Sequence, residues 1–489
     1  MAISGNRVLS IGEADDICLF QSPSTTLIDC EQRTVVPGFI DAHCHPFGVA
    51  ALAFGVDCTP NTVCCIADIQ DAIRKQAKQQ DEGTWINALG YNEYYLAEKR
   101  HPTRWDLDAA TSRNPVRLVH RSGHGSVLNS LALSMSGISA ETPEPEGALI
   151  ERDSHTGEPN GVLFEMEEHL EKISPLLGKL DIEAGMKMAN QQFLAHGITS
   201  LQDASWTDSL NRWNSLRRMV DEGLLQMRIS MMIGGDSIEE SMNGGLLPRA
   251  GDDRLRVGAV KLVLDTTTGD LHPSPGDLQQ YVIKAHQYGS QVAIHCIEED
   301  TVEAAIAALE HAVRNNPKLD HRHRLEHCSI CPPRLIGRIH ALKAIVVTQP
   351  SFIYYSGDRY LGMVPKEQIE HLYPIGSWIK GDVKVAAASD APIVPVAPLT
   401  GIYAATTRRE RKGRKISAQH SITPLEALRM HTLDAAYTTF EEDIKGSLSP
   451  GKLADLVVLS DNPLEVDPEY IKDIKVHMTM VDGKVVWET

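Results

Sequence analysis

Eight short apolar runs recur along the chain, separated by segments whose apolar residues return every three or four positions. The runs are VVPGFIDAHCH (35–45), ITSLQDA (198–204), MRISMMIG (227–234), VGAVKLVLD (257–265), QVAIHC (291–296), HRLEHC (323–328), AIVVTQP (344–350) and VKVAAASD (383–390). From the second onward their centres lie about 20–40 residues apart, the interval of a strand–helix unit. IEEDTVEAAIAALEHAVR (297–314) is one of the intervening helices, with apolar residues at helical spacing and acidic residues in its first turn, where the helix dipole favours them. Repetition of such a unit predicts an α/β fold, a parallel (β/α)8 TIM barrel. A doubly wound open sheet is the competing arrangement, but no G-x-G-x-x-G follows the first run.

Two parts of the pattern fall outside this ladder. Residues 60–185, between the first and second runs, are too many for one connecting helix and predict an inserted subdomain. Both chain ends alternate like strands: RVLSIGEADDICLF (7–20), TTLIDC (25–30), LADLVVLS (453–460) and VHMTMVDGKVVW (476–487), the last with Asp482-Gly483 as a hairpin signal. The division expected is therefore 1–36 as the N-terminal part of a small β-sandwich, 37–59 as barrel strand 1, 60–185 as the insertion, 186–440 as the rest of the barrel, and 441–489 as the C-terminal part of the sandwich.

Composition narrows the function classes. The chain has 489 residues, 42 % of them hydrophobic and 23 % charged, ordinary for a soluble protein of more than one structural unit. Lys and Arg number 47 against 65 Asp and Glu, a formal charge of −18, which argues against nucleic acid and anionic membrane surfaces as partners. No run approaches the ~18 apolar residues of a membrane-spanning helix. The start, MAISGNRVLSIGEADD, lacks a secretory pattern, and the 9 cysteines are an odd number, so reduced thiols and a cytoplasmic location are expected. Cys328-Ser-Ile-Cys331 has no second pair at zinc-finger spacing.

The 20 histidines matter by position. His43 and His45 flank Cys44 at the end of the first run, and side chains at i and i+2 share one face of a strand, so both imidazoles can hold one metal. Lys261 interrupts an otherwise apolar fourth run. A buried lysine needs a partner, either a carboxylate at the barrel mouth or conversion by CO2 to a carbamate that bridges two metals. His295 and His327 end the fifth and sixth runs and Asp390 ends the eighth. Singly, each is compatible with a satisfied core residue. Together they occupy the end of the barrel where such enzymes carry their sites. Cys44, Cys296 and Cys328 each follow a proposed ligand, and alternation turns them outward as packing residues.

The order HxH, Lys, His, His, Asp on successive strands resembles the amidohydrolase superfamily, as do PGFIDAHCH (37–45), LEHC (325–328), SDAPI (389–393) and SLSPGKLADLVVLSDNP (447–463). GHGSVLNSLAL (123–133), GEPNGVLFE (157–165) and HGITSLQDA (196–204) resemble its YtcJ-like branch, which includes N-substituted formamide deformylases and carries an insertion after the first strand. The resemblance covers nearly the whole chain. It implies His43 and His45 on the more buried metal, Lys261 as a bridging carbamate, His295 and His327 on the more exposed metal, and Asp390 touching the buried metal as general base. Zn2+ is the expected divalent ion, one or two per chain. Relatives usually begin with an extra pair of strands, so either the sandwich is truncated or the start codon is misassigned. The loop LDTTTGDLHPSPGD after Lys261 departs from the relatives' Gly-Ser form, and such loops shape the substrate pocket.

The implied reaction is hydrolysis of a non-peptide C–N bond in an amide, formamide, carbamate or cyclic imide, with metal lowering the pKa of bound water from 15.7 to about 7. Asp390 takes the proton and returns it to the leaving nitrogen. The competing reading is a mononuclear deaminase, in which Glu298 of His295-x-x-Glu298 shuttles protons. Glu298 equally suits the first turn of the next helix. A non-catalytic scaffold is the third reading, and it predicts missing ligands. His124 on the insertion, the aromatics Tyr94 and Trp105 there, and Tyr354 after the seventh run are the candidate contacts to a small-molecule substrate. A homodimer is the default assembly.

Overall fold

The computed structural model describes residues 1–174 and 179–489; residues 175–178, within the expected insertion, lie outside it. The chain divides into two compact units, one of residues 1–45, 189–265 and 273–489, the other of residues 46–188 and 266–272.

The first unit is built on eight parallel strands in sequential order: β1 (Phe39–Cys44), β2 (Ile198–Asp203), β3 (Arg228–Gly234), β4 (Leu255–Val263), β5 (Val292–Cys296), β6 (Arg324–His327), β7 (Ile345–Thr348) and β8 (Lys384–Ala387). Each falls inside one of the apolar runs. All residues of β1, β2, β3, β6 and β7 are buried, as expected of a parallel sheet covered on both faces. The seam between β8 and β1 is spanned just beyond the strands, where the Asp390 amide donates to the His43 carbonyl at 2.8 Å and the His45 amide to the Ala391 carbonyl at 2.7 Å. The sheet is thus a nearly closed TIM-type barrel. Helices follow the strands, among them Pro275–Gln287 after β4 and Glu299–Asn315 after β5, the latter buried along Val302, Ala305, Ile306 and Leu309.

The two chain ends meet as the pattern predicts. Thr34–Pro37 pairs antiparallel with Leu456–Leu459, which pairs with Val476–Val481 and through it with Lys484–Glu488. Asp482 and Gly483, at φ 55° and 70°, make the turn between the last two. A two-stranded ribbon, Ala2–Ser4 with Arg7–Ser10, adds the extreme N-terminus. Two expected strand segments are not strands. Ala14–Cys18 is a short helix, with Asp15 and Asp16 in its first turn, and residues 25–30 form no ladder. Residues 25–29 are exposed and Cys30 only half-buried, so no apolar face holds them on a sheet. The barrel is tied to the terminal sheet by a buried ion pair, Arg228 Nε to Asp455 Oδ2 at 2.6 Å and Arg228 Nη2 to Asp455 Oδ1 at 3.0 Å.

The second unit carries a six-stranded mixed sheet in the order Val56–Asp57, Ile86–Tyr91, Val116–His120, Gly125–Leu128, Pro159–Phe164, Leu149–Arg152. Ile69 and Ile73 of helix Ile66–Ala77 pack with Leu118, Val127 and Val162 of this sheet in one apolar cluster. No helix among the described residues is long and apolar enough to cross a membrane.

Candidate metal centre

The C-terminal ends of the barrel strands bring the sequence-predicted residues together. His43 Nε2 and His45 Nε2 stand 3.5 and 3.1 Å from the same oxygen of Asp390. Lys261 Nζ is 3.3 Å from His43 Nε2. The His327 ring lies 4.8 Å from that of His43 and 4.4 Å from that of His295, centroid to centroid. Six side chains, four from β1, β4, β5 and β6 and two from just beyond β1 and β8, therefore gather here, and His43, Lys261, His327 and Asp390 are buried.

The surrounding hydrogen bonds set where the imidazole protons sit. Glu326 Oε2 is 2.5 Å from His43 Nδ1, so Nδ1–H donates to the carboxylate and Nε2 carries the lone pair. Ser205 Oγ gives its proton to Asp203 Oδ1 at 2.7 Å, so at 3.2 Å it accepts from His45 Nδ1–H. His45 Nε2 then also presents a lone pair, and it faces a carboxylate oxygen. With a metal bound that lone pair is a ligand; otherwise a proton on Nε2 bridges to the carboxylate at 3.1 Å. His327 repeats the arrangement: Nδ1 donates to Gln349 Oε1 at 2.9 Å, and Nε2 is buried with no hydrogen-bond partner. A buried orphan of this kind is costly unless something binds it.

Electrostatics agree. Burial, and next the Lys261 ammonium, hold His43 well below the usual imidazole range, so the ring is neutral and free to ligate. Burial likewise lowers His327. Burial alone raises the Asp390 carboxyl, but the His45 hydrogen bond, and the charge that the His327, His43 and His45 rings carry when protonated, outweigh it and hold the group far below its usual range. Burial brings Lys261 down to about 8, against the pull of Glu326 and Asp390.

Several of these partners were not legible as functional residues. Glu326 accepts from Arg324 as well, Nε to Oε1 at 2.6 Å and Nη2 to Oε2 at 3.0 Å, and Arg324 also donates to the Ala42 carbonyl at 2.8 Å and to Gln202. The signal lay in the sixth run, where Arg-Leu-Glu-His places two charges of opposite sign in a fully buried strand. Asp41 receives the Ser389 amide at 2.9 Å and its hydroxyl at 2.5 Å, which fixes the chain leading into Asp390.

Behind the Asp203–Ser205–His45 chain lies Asp208, wholly buried. Burial pushes its carboxyl well above the ordinary 3.8, and the Asp203 charge adds to this while Arg212, 3.3 Å away, opposes it. The folded protein therefore keeps a proton that the unfolded chain has released. The sign follows: the stabilisation is complete below about 3.8 and is lost as pH rises through the folded value. Asp208→Asn keeps the donor and removes the titration, so its melting temperature is expected to fall less steeply than wild type toward alkaline pH. Parallel melting curves from pH 5 to 9 in roughly unit steps test this, and identical slopes refute it.

The remaining candidates have contacts of their own. His124 pairs through Nδ1 with Glu165 Oε1 at 3.0 Å. Tyr94 stacks edge-on with Tyr95 at 5.1 Å under the Lys99 ammonium, and Trp105, 47 % exposed, lies against Arg104; all belong to the second unit. Tyr354, on helix Ser351–Met363, packs edge-on with Tyr355 and Tyr403 at 5.1 and 5.7 Å. Glu298 is the N-cap residue of helix Glu299–Asn315, its carbonyl taken by the Val302 amide at 3.0 Å and the Thr301 hydroxyl at 2.8 Å. Cys44, Cys296 and Cys328 are buried free thiols, with Cys44 Sγ donating to the Gln202 carbonyl and Cys296 Sγ to that of Glu326.

Comparison with known proteins places this arrangement. The description of the amidohydrolase family matches residues 26–487. An N-substituted formamide deformylase of Arthrobacter pascens is 28 % identical over 515 aligned positions, covering 99 % of this chain and 94 % of the relative. The YtcJ protein of Bacillus subtilis (strain 168) is 25 % identical, with 96 % and 92 % covered. Among solved structures, an uncharacterized metal-dependent hydrolase of Pyrococcus furiosus superposes with a TM-score of 0.72 at 25 % identity, covering 95 % of each chain.

Proposed function

The chain belongs to the amidohydrolase family, hydrolases of carbon–nitrogen bonds, and from that premise we propose that it hydrolyses a non-peptide C–N bond of a small amide, with N-substituted formamides the first class to test. The observation that carries this reading is the approach of His43 Nε2 and His45 Nε2 to one oxygen of Asp390, three ligand-type groups at one point, with the ring of His327 beside that of His43 and its Nε2 buried and unpartnered. That donor set fits a divalent metal, with imidazole and carboxylate suiting zinc.

When bound, the metal supplies Lewis-acid polarisation of a carbonyl and acidifies water toward neutrality. The chain's own groups do the rest. His43 and His45 would hold the more buried ion and His295 and His327 the more exposed one. If two ions are present, Lys261 would bridge them as a carbamate; burial raises the share of its uncharged amine, the form whose lone pair attacks CO2. Asp390, ionised and facing the site, takes a proton from the attacking water and returns it to the departing nitrogen. Glu326 and Ser205 hold the two rings of the H-x-H pair with their Nε2 atoms inward. The formamide class rests on the likeness to the Arthrobacter N-substituted formamide deformylase.

The test is a screen of metal-loaded protein over N-formyl amines, N-acyl amino acids, carbamates and aminated heterocycles. The expected result is release of an amine from at least one of the first three, lost on chelation and restored by divalent metal. Ammonia release from a heterocycle alone would move the assignment to deamination. No turnover of any class by metal-loaded protein would sink the catalytic reading.

A further inference from the structure

At the opposite end of the barrel, the N-terminal ends of β3 to β6 surround a cavity of about 240 Å³. Ser230 in β3, Gly258 in β4, Ser290 ahead of β5 and Lys318 ahead of β6 line it, with Arg249 and Phe440. Gly258 lets β3 approach closely, since a Cβ there would stand 2.9 Å from Ser230 Oγ.

The charges around it are unbalanced. Asp320 is the acidic residue of the lining, and Arg322 holds both its oxygens, at 2.9 and 3.1 Å, while also pairing with Glu442, so Arg249, Lys318 and Arg322 face two carboxylates. The Arg249 guanidinium lies 4.7 Å over the Phe440 ring, with no carboxylate partner among the described residues. Lys318 Nζ donates to the His286 carbonyl and, among the described residues, has no carboxylate partner. Within the cavity, Ser290 is 4 % exposed and its Oγ has no hydrogen-bond partner. A water molecule would satisfy that hydroxyl, but an oxyanion would do so and also meet the net positive charge that exposed Arg249 and half-buried Lys318 bring to the cavity mouth.

We infer that this cavity is a binding site for a small oxyanion, a phosphate or carboxylate group that Arg249 and Lys318 pair with and Ser290 hydrogen-bonds. Its volume is below the ~300–1,000 Å³ of drug-sized pockets, so the occupant is a small metabolite rather than a nucleotide. Arg249 is suited to the role because its planar fork matches an oxyanion while Phe440 fixes its orientation. The occupant would join the feet of four adjacent strands, three of which carry Lys261, His295 and His327 at their other ends.

Thermal unfolding of the metal-loaded full chain tests this, with inorganic phosphate and, separately, succinate titrated over roughly 0–20 mM at constant ionic strength. The expected result is a saturable rise in melting temperature with at least one of the two, about 2 °C or more at ten times Kd. The rise should vanish in Arg249→Met, which keeps an apolar stem over Phe440. Lys318→Met carries the same comparison if the first variant does not fold. A shift with phosphate alone assigns a phosphate group, and one with succinate alone a carboxylate. No saturable shift with either anion overturns the inference. So does a shift equal in wild type and variants, because it places the anion elsewhere, at the metal centre above all.

Discussion

Asp390→Asn is expected to lower kcat on whichever amide the wild-type protein turns over by roughly 10²–10⁴-fold, the usual worth of a positioned general acid–base. The substitution keeps the shape of the side chain and the bond from the Asp390 amide to the His43 carbonyl across the barrel seam, so the fold should persist. What it removes is the charge that faces His43 Nε2 and His45 Nε2. Metal content measured on the same preparation separates the two consequences. A variant that binds metal as wild type does but has lost turnover points to proton transfer, while loss of both points to ligation. Turnover within a factor of about three of wild type, far below the effect of losing a general base, would remove Asp390 from the mechanism.

Glu326→Leu is expected to be the most damaging change to the fold near the site. It deletes the acceptor of His43 Nδ1 and leaves the Arg324 guanidinium, 1 % exposed, without its carboxylate. Removing one partner of a buried ion pair costs about 3–5 kcal/mol, which for a barrel of this size is a melting-temperature loss on the order of 10 °C. Glu326→Gln separates stability from function. It keeps the volume and one acceptor for Arg324, so the stability loss should be smaller, but a neutral amide holds His43 less firmly. Metal affinity is then expected to fall about 10–100-fold, the usual consequence of losing a carboxylate behind a ligating histidine. Calorimetry and metal titration of the two variants check both statements. A Glu326→Leu protein with wild-type stability and wild-type metal content contradicts the role given to this side chain.

Most of the barrel was legible in the linear pattern because parallel strands buried on both faces must be apolar throughout. The terminal sheet was legible in its last hairpin, where Asp482-Gly483 demands one turn geometry, and was misread at 25–30, where a few apolar letters have no face to pack on. The candidate ligands were found by residue type and by their place at strand ends. Their support was not. Arg324, Glu326, Ser205, Asp203, Gln349 and Asp41 come from β1, β2, β6 and the residues just beyond β2 and β7, and only the closed barrel brings them beside the histidines. No spacing rule links residues 283 positions apart, as His43 and Glu326 are.

Strand alternation also gave an incomplete account of the sixth run. Neighbours in a strand face opposite ways, yet Glu326 and His327 both reach His43, one by a hydrogen bond and the other ring against ring. The backbone makes this geometry available. His327 sits at φ 66°, Cys328 at 50° and Asp390 at 58°, left-handed conformations that cost energy in residues other than glycine and persist only where the surroundings enforce them.

The sequence by itself therefore determined the architecture, the family resemblance and the identity of six candidate site residues, because periodicity and residue chemistry are local properties of the chain. The tertiary structure alone decided which nitrogen of each imidazole faces inward and which carboxylate is kept ionised. It also decided that a second, cationic cavity opens at the foot of the barrel. Proton positions and charge balance depend on partners distant in sequence, and only folding brings those partners within hydrogen-bond reach.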